Sequence, residues 1–172
     1  DNPVGFRQSN KSIEFIENEE DDEEFSQNNY IQIGNILHHL FSTIRNINDI
    51  DPVLHQFQSE GLLYDESITK DKLSKMIGLR LKDKRVEDWF SPHWTVFNEC
   101  SIISVDKETN EIIEKRPDRV ITDGKQIIVI DFKFGKQNYK YQYQVKEYMN
   151  LLVGMGYKSI KGYIWYVYSN QI

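Results

Sequence analysis

The chain has a single cysteine, Cys100, which excludes an internal disulfide framework and a four-cysteine zinc or iron–sulfur site built from this chain alone. No apolar run approaches the ~20 residues that a membrane-spanning helix needs, and no basic-then-apolar signal segment opens the sequence. Gly-x-x-x-x-Gly-Lys-Ser/Thr and Gly-x-Ser-x-Gly are both missing, and Gly135-Lys136-Gln137 lacks the frame of a phosphate-binding loop. No repeat of 20–50 residues is visible. What remains is the expectation of a soluble, cytoplasmic domain with no membrane partner. Its 172 residues make about one domain, and 39% hydrophobic with 13% aromatic residues suffices for a core. Asp1 in place of Met fits a processed chain or a piece of something longer.

A net charge of −6 argues against nucleic acid until its distribution is read. Residues 1–24 hold nine acidic and two basic side chains, leaving 19 basic and 18 acidic over residues 25–172. The run Glu19-Glu20-Asp21-Asp22-Glu23-Glu24 repels itself and has little apolar surface to order it. Residues 1–24 therefore read as an acidic linker or weakly held arm leading in from a preceding domain, and 25–172 as one domain. From Asp131 to Lys161 six lysines face only Asp131 and Glu147. That basic stretch suits phosphate contact, although a solvated lysine face is the simpler reading on charge alone.

Apolar residues at helical spacing predict a helix from Tyr30 to about Asn48, a second from Asp51-Pro52 to about Glu60, and a third over Thr69–Lys82 with Thr69 as N-cap. The pattern then turns β-rich. Trp94–Val105, Ile112–Thr122 and Gln126–Phe134 read as strands, joined by turns at Lys107–Asn110 and Asp123-Gly124. Tyr139–Gly154 reads as a helix and Lys161–Tyr168 as a last strand whose aromatics pack. This order predicts an α/β domain, a small mixed sheet flanked by helices with an N-terminal helical region.

Ile127–Ile130 is a four-residue apolar run, as in a strand covered on both faces, and Asp131 interrupts it. Lys133, two residues on, shares the face of Asp131. Asp118 lies thirteen residues earlier across the Asp123-Gly124 turn, within reach on a neighbouring strand. Taken alone, Asp-x-Lys is more often a buried ion pair. Two carboxylates converging at a strand end, however, call for a cation, and hard oxygen ligands suit Mg²⁺.

Pro117-Asp118 … Asp131-Phe132-Lys133 spells the PD-(D/E)XK nuclease motif. More narrowly, the chain resembles the RecB-like nuclease domain at the C-terminus of bacterial helicase–nucleases of the UvrD/RecB/AddA type. Gly34-Asn35-Ile36-Leu37-His38 is similar to that family's Gly-x-x-x-His, Asp131-Phe132-Lys133-Phe134-Gly135 to its Asp-Tyr-Lys-Thr-Gly, and Gln144 to Tyr148 to its Gln-x-x-x-Tyr. The motifs span residues 34–148 in the family's order. Lys115-Arg116-Pro117 departs from the usual approach to the first aspartate, and Phe132 and Phe134 replace Tyr and Thr.

The resemblance implies a restriction-endonuclease-like fold and a Mg²⁺- or Mn²⁺-dependent deoxyribonuclease that leaves 5′ phosphates. In it His38, Asp118, Asp131 and the carbonyl of Phe132 hold the ion, and Lys133 assists the attacking water. It implies exonuclease action on single strands supplied by linked N-terminal helicase domains, with a second helicase–nuclease subunit as a further partner, in double-strand-break processing. It implies the branch without an iron–sulfur cluster. Gln144 and Tyr148 share a helix face and suit either nucleotide contact or positioning of the lysine. Lys136, Lys140, Lys146 and Arg119 are candidate DNA contacts, Arg119 and Arg116 being equally able to pair with Glu114 or Glu99. Helical spacing alone does not separate His38 from His39 as ligand, while His55 and His93 read as surface histidines. Glu99 is a candidate third acid. The rival is a catalytically silent DNA-binding or partner-docking module on the same fold, and a dimeric structure-specific endonuclease is a third option.

Overall fold

The computed structural model describes residues 27–97 and 100–172. The acidic arm over residues 1–24 and Glu99 lie outside the described residues.

Four helices come first: α1 (Gln27–Thr43), α2 (Ile50–Ser59), α3 (Lys70–Arg80) and α4 (Lys84–Trp89). The helix expected to reach Asn48 stops at Thr43, because Asn46 starts a new turn over Ile47–Asp49 with a reciprocal cap between Asn46 and Asp49. The Thr69 side chain caps α3 as expected, by accepting from the Lys72 N–H. α4 has no counterpart in the predicted elements. Six residues give little periodicity, and its signal is the Asp83 cap.

The strands are β1 (Thr95–Phe97), β2 (Ile102–Val105), β3 (Ile112–Lys115), β4 (Arg119–Thr122), β5 (Ile127–Lys133) and β6 (Ile160–Tyr166), with α5 (Tyr139–Gly154) between the last two. A four-stranded sheet runs β1-β4-β5-β6, antiparallel except for the parallel β5–β6 pair. β2 and β3 form a separate two-stranded ladder. Two long predicted strands are thus each cut in two. Thr95 pairs with Thr122 and Ile102 with Lys115 at the same offset, so the pieces are inner and outer halves of one long hairpin. On its second arm the break is Arg116-Pro117, where proline has no N–H to give the ladder.

The protein is therefore mixed α/β, a small mixed sheet between helices. One sheet face and α1–α4 enclose the main core around Leu37, Phe41, Phe90, Ile130, Phe132 and Trp165. The other face carries α5 on a smaller cluster of Val120, Val129, Tyr148 and Leu152. The aromatics of the last strand pack as expected, with Trp165, Tyr166 and Tyr168 buried. α5 lies close on β6 because residue 162 is glycine. A Cβ there would stand 2.5 Å from Val145 Cγ1 and 2.6 Å from Met149 Sδ. Among the described residues no helix is long and apolar enough to cross a membrane.

Candidate functional site

Register brings the two aspartates together. Arg119 pairs with Ile130, so one step further Asp118 falls opposite Asp131, just before β4 begins. The Asp118 N–H donates to Asp131 Oδ1 at 3.2 Å. Asp118 Oδ2 accepts the Phe132 N–H at 2.9 Å, covering the edge of β5 where β4 has not yet started. In a strand the N–H and C=O of one residue point to the same edge. The Phe132 carbonyl therefore faces the Asp118 side too, while the next carbonyl, that of Lys133, turns to the opposite edge and accepts from Val167 N–H.

The histidine arrives from the other layer. Gly34 packs where a Cβ would meet Phe134 Cβ at 3.4 Å and Tyr168 Oη at 3.3 Å, so its missing side chain lets α1 press on the end of β5. One turn later His38 Nε2 stands 2.9 Å from Asp118 Oδ1. His39 instead stacks on Phe57, with ring centroids 5.1 Å apart. Geometry thus separates the two histidines that spacing did not.

Arg119 corrects an expectation. It was a candidate DNA contact, yet it is 1% exposed. Strand alternation turns it away from the site, and its guanidinium donates to the carbonyls of Phe41, Ile44, Arg45 and Trp89. It caps the C-terminal end of α1 and lies 4.4 Å over the Phe90 ring. Burial lowers its pKa to about 10, so it stays charged at neutral pH. Its contribution to the site is indirect, clamping the helix that carries His38 to the strand that follows Asp118. Arg116, by contrast, pairs with Glu114.

Lys133 Nζ stands 3.9 Å from Asp131 Oδ2 and donates to Gln144 Oε1 at 3.3 Å. Gln144 Nε2 donates to the buried Tyr148 hydroxyl at 2.8 Å. The Gln–Tyr pair of α5 thus positions the lysine. A further holder was missed from sequence: the Tyr141 ring lies 4.4 Å under the ammonium. Its signal was available, since residue 141 is three before Gln144 and seven before Tyr148 on one helix face. Lys136, Lys140 and Lys146 are all exposed and sit outside this cluster, on the loop into α5 and on α5 itself.

The electrostatics are unusual. Asp131 is 2% exposed. Burial first, then the charge of Asp118, push its pKa up to about 7, against the opposing pull of Lys133. Burial alone would lower His38, but the hydrogen bond and charge of Asp118 outweigh it and leave the imidazole raised. Desolvation, reinforced by both aspartates, also raises the Tyr148 hydroxyl, which stays protonated.

Among the described residues no three His, Cys, Asp or Glu side chains are gathered as a ready metal cage. The donors run in series instead, imidazole to carboxylate to carboxylate. Two carboxylates, one imidazole and a strand-edge carbonyl nevertheless suit a hard divalent cation. The 2.9 Å contact between His38 and Asp118 holds a proton between two ligand-type atoms, the position for which a cation competes. Excess negative charge at a buried carboxyl pair is the deficit such an ion corrects. No protein-family model matches the sequence, and no match is found among curated proteins.

Proposed function

We propose that this domain is a metal-dependent deoxyribonuclease on a RecB-like PD-(D/E)XK core, hydrolysing the phosphodiesters of single-stranded DNA. The observation that carries the reading is the pairing of Asp118 and Asp131 across two strands, with Lys133 on the face of Asp131 and His38 on Asp118. Mixed-sheet topology and the order of the four motifs support it.

In this reading His38, Asp118, Asp131 and the Phe132 carbonyl hold Mg²⁺ or Mn²⁺. The bound ion supplies Lewis-acid polarisation of the phosphodiester and a lowered pKa for the attacking water. The chain's own residues do the rest. Lys133, fixed by Gln144 and Tyr141, offsets charge on the phosphoryl oxygens and orients the water. Asp131 sets the direction of the ammonium, and Tyr148 holds Gln144 in the amide orientation that accepts from it. Exposed Lys136, Lys140 and Lys146 meet the DNA backbone. An N-terminal helicase motor, joined through the acidic arm and partnered by a second helicase–nuclease subunit, would feed the strand in the cytoplasm.

The silent-module alternative draws on one observation: Asp118 is already bonded to His38 and to the Phe132 N–H, so the polar groups can satisfy one another. Incubation with end-labelled single-stranded DNA and Mg²⁺ or Mn²⁺ separates the two. Cleavage that Asp131→Ala abolishes supports the nuclease. Equal products from variant and parent, or none from either while DNA is bound, overturn it.

A further inference from the structure

α5 has a second working face. Tyr141, Gln144 and Tyr148 look to the lysine, whereas Tyr139, Gln142 and Lys146 line a cavity of about 570 Å³ between α5 and edge strand β6. That volume is in the range of small-molecule sites. Its walls combine three chemistries. The Tyr139 ring is 79% exposed and spare from the core. The Gln142 amide, a donor and an acceptor together, makes no hydrogen bond among the described residues. Lys146 adds an exposed ammonium, while neighbouring Glu147 is engaged by Lys115 at 3.5 Å. Among the described residues no acidic side chain lines the cavity and Lys146 is its one charged side chain, so the side chains favour an anionic ligand over a cationic one.

The cavity also adjoins the site. Tyr166, in register with Lys133, forms part of its wall. Tyr166 packs on Tyr141, with centroids 6.4 Å apart, and Tyr141 in turn meets the Lys133 ammonium. One aromatic partition therefore divides cavity from lysine.

We propose that this cavity is a nucleobase subsite. An unpaired base of the DNA strand stacks on Tyr139 and bonds Gln142, its phosphate meets Lys146, and the chain continues over the start of α5 to Lys133. The inference rests on the nuclease reading for its substrate. A stacked base contributes about 1–3 kcal/mol, which is roughly 5- to 150-fold in affinity.

The test is fluorescence anisotropy with a labelled oligothymidylate and the metal-free full chain, where binding is read without cleavage. Tyr139→Ala is expected to weaken binding at least about 5-fold and Tyr139→Phe to restore it, because only the ring is needed. Tyr64→Ala, an exposed tyrosine remote from the cavity, is expected to bind as the parent does. Lys146→Ala is expected to reduce the salt slope by about one, and a duplex of the same sequence to bind more weakly, its bases being unavailable. Unchanged affinity in Tyr139→Ala, or a duplex bound as tightly as the single strand, overturns the subsite. Tyr139-dependent binding without hydrolysis would retain the subsite and remove the nuclease, whereas hydrolysis with Tyr139-independent binding would do the reverse.

Discussion

Strand β5 has two faces, and they part company halfway along. Ile128, Ile130 and Phe132 all enter the main core. On the opposite face Ile127 and Val129 join the smaller cluster, and then Asp131 and Lys133 follow. Asp131 is as deeply buried as its apolar neighbours. Burial therefore does not mark the site; a change of chemistry on one face of an otherwise continuous strand does. One face holds the fold together, and the other puts a carboxylate and an ammonium where neither is well solvated.

Adjacent substitutions on the two faces should separate stability from activity. In the nuclease reading Lys133→Ala removes the group that orients the water and offsets phosphoryl charge, and is expected to cut cleavage of single-stranded DNA by about 10²–10⁴. It also takes a cation from beside Asp131, so a fall in Tm well below that of the core substitution is expected. Phe132→Ala opens a cavity among Phe41, Phe90 and Trp165. Its expected cost is about 3–5 kcal/mol, a fall in Tm of the order of 10 °C, read by thermal denaturation. Comparable loss of stability in both variants would abolish the distinction between the faces.

The charged face should also carry the pH dependence of the metal-free fold. Asp131 has a pKa raised to about 7 and His38 is raised as well. Both make the folded chain bind more protons than the unfolded one, so stability falls as pH rises from about 4 through 7 and on through the raised pKa of His38. Asp131→Asn keeps an acceptor for the Asp118 N–H but has no charge to bury. At pH 8 the variant is expected to be more stable than the parent by about 2–4 kcal/mol without metal, and its slope over this window to be smaller. Adding Mg²⁺ should then raise the Tm of the parent alone. A parent protein equally stable at pH 5 and pH 8 would contradict the buried carboxyl pair.

Much of this was legible in advance because local rules and the fold agree. Thr69, the Gln126–Phe134 strand and α5 follow from capping and periodicity, and the i, i+2 rule alone put Asp131 and Lys133 on one face. What was not legible depends on partners distant in sequence. His38 parts from His39 only because Gly34 lets α1 approach Phe134. Arg119 looked like a phosphate clamp beside Asp118, whereas its partners are carbonyls 30 to 78 residues earlier. The long hairpin read as two unbroken strands because apolar periodicity continues into β2 and β3. There Ile103, Val105 and Ile112 stay exposed, with no layer over them among the described residues.

The smallest expected effect probes how finely the charged face is held. Tyr141 touches the ammonium of Lys133 through its ring. Replacing it by leucine keeps apolar bulk but removes the π-face, and a cation–π contact of this kind contributes about 0.5–2 kcal/mol. Hydrolysis by Tyr141→Leu is therefore expected to drop between about 2- and 30-fold, mostly in kcat, with Tm close to the parent's, and Tyr141→Phe to recover most of the loss. Were Phe no better than Leu, the hydroxyl or the packing against Tyr166 would be the operative feature. Lys133 would then be positioned by Gln144 and Asp131 alone.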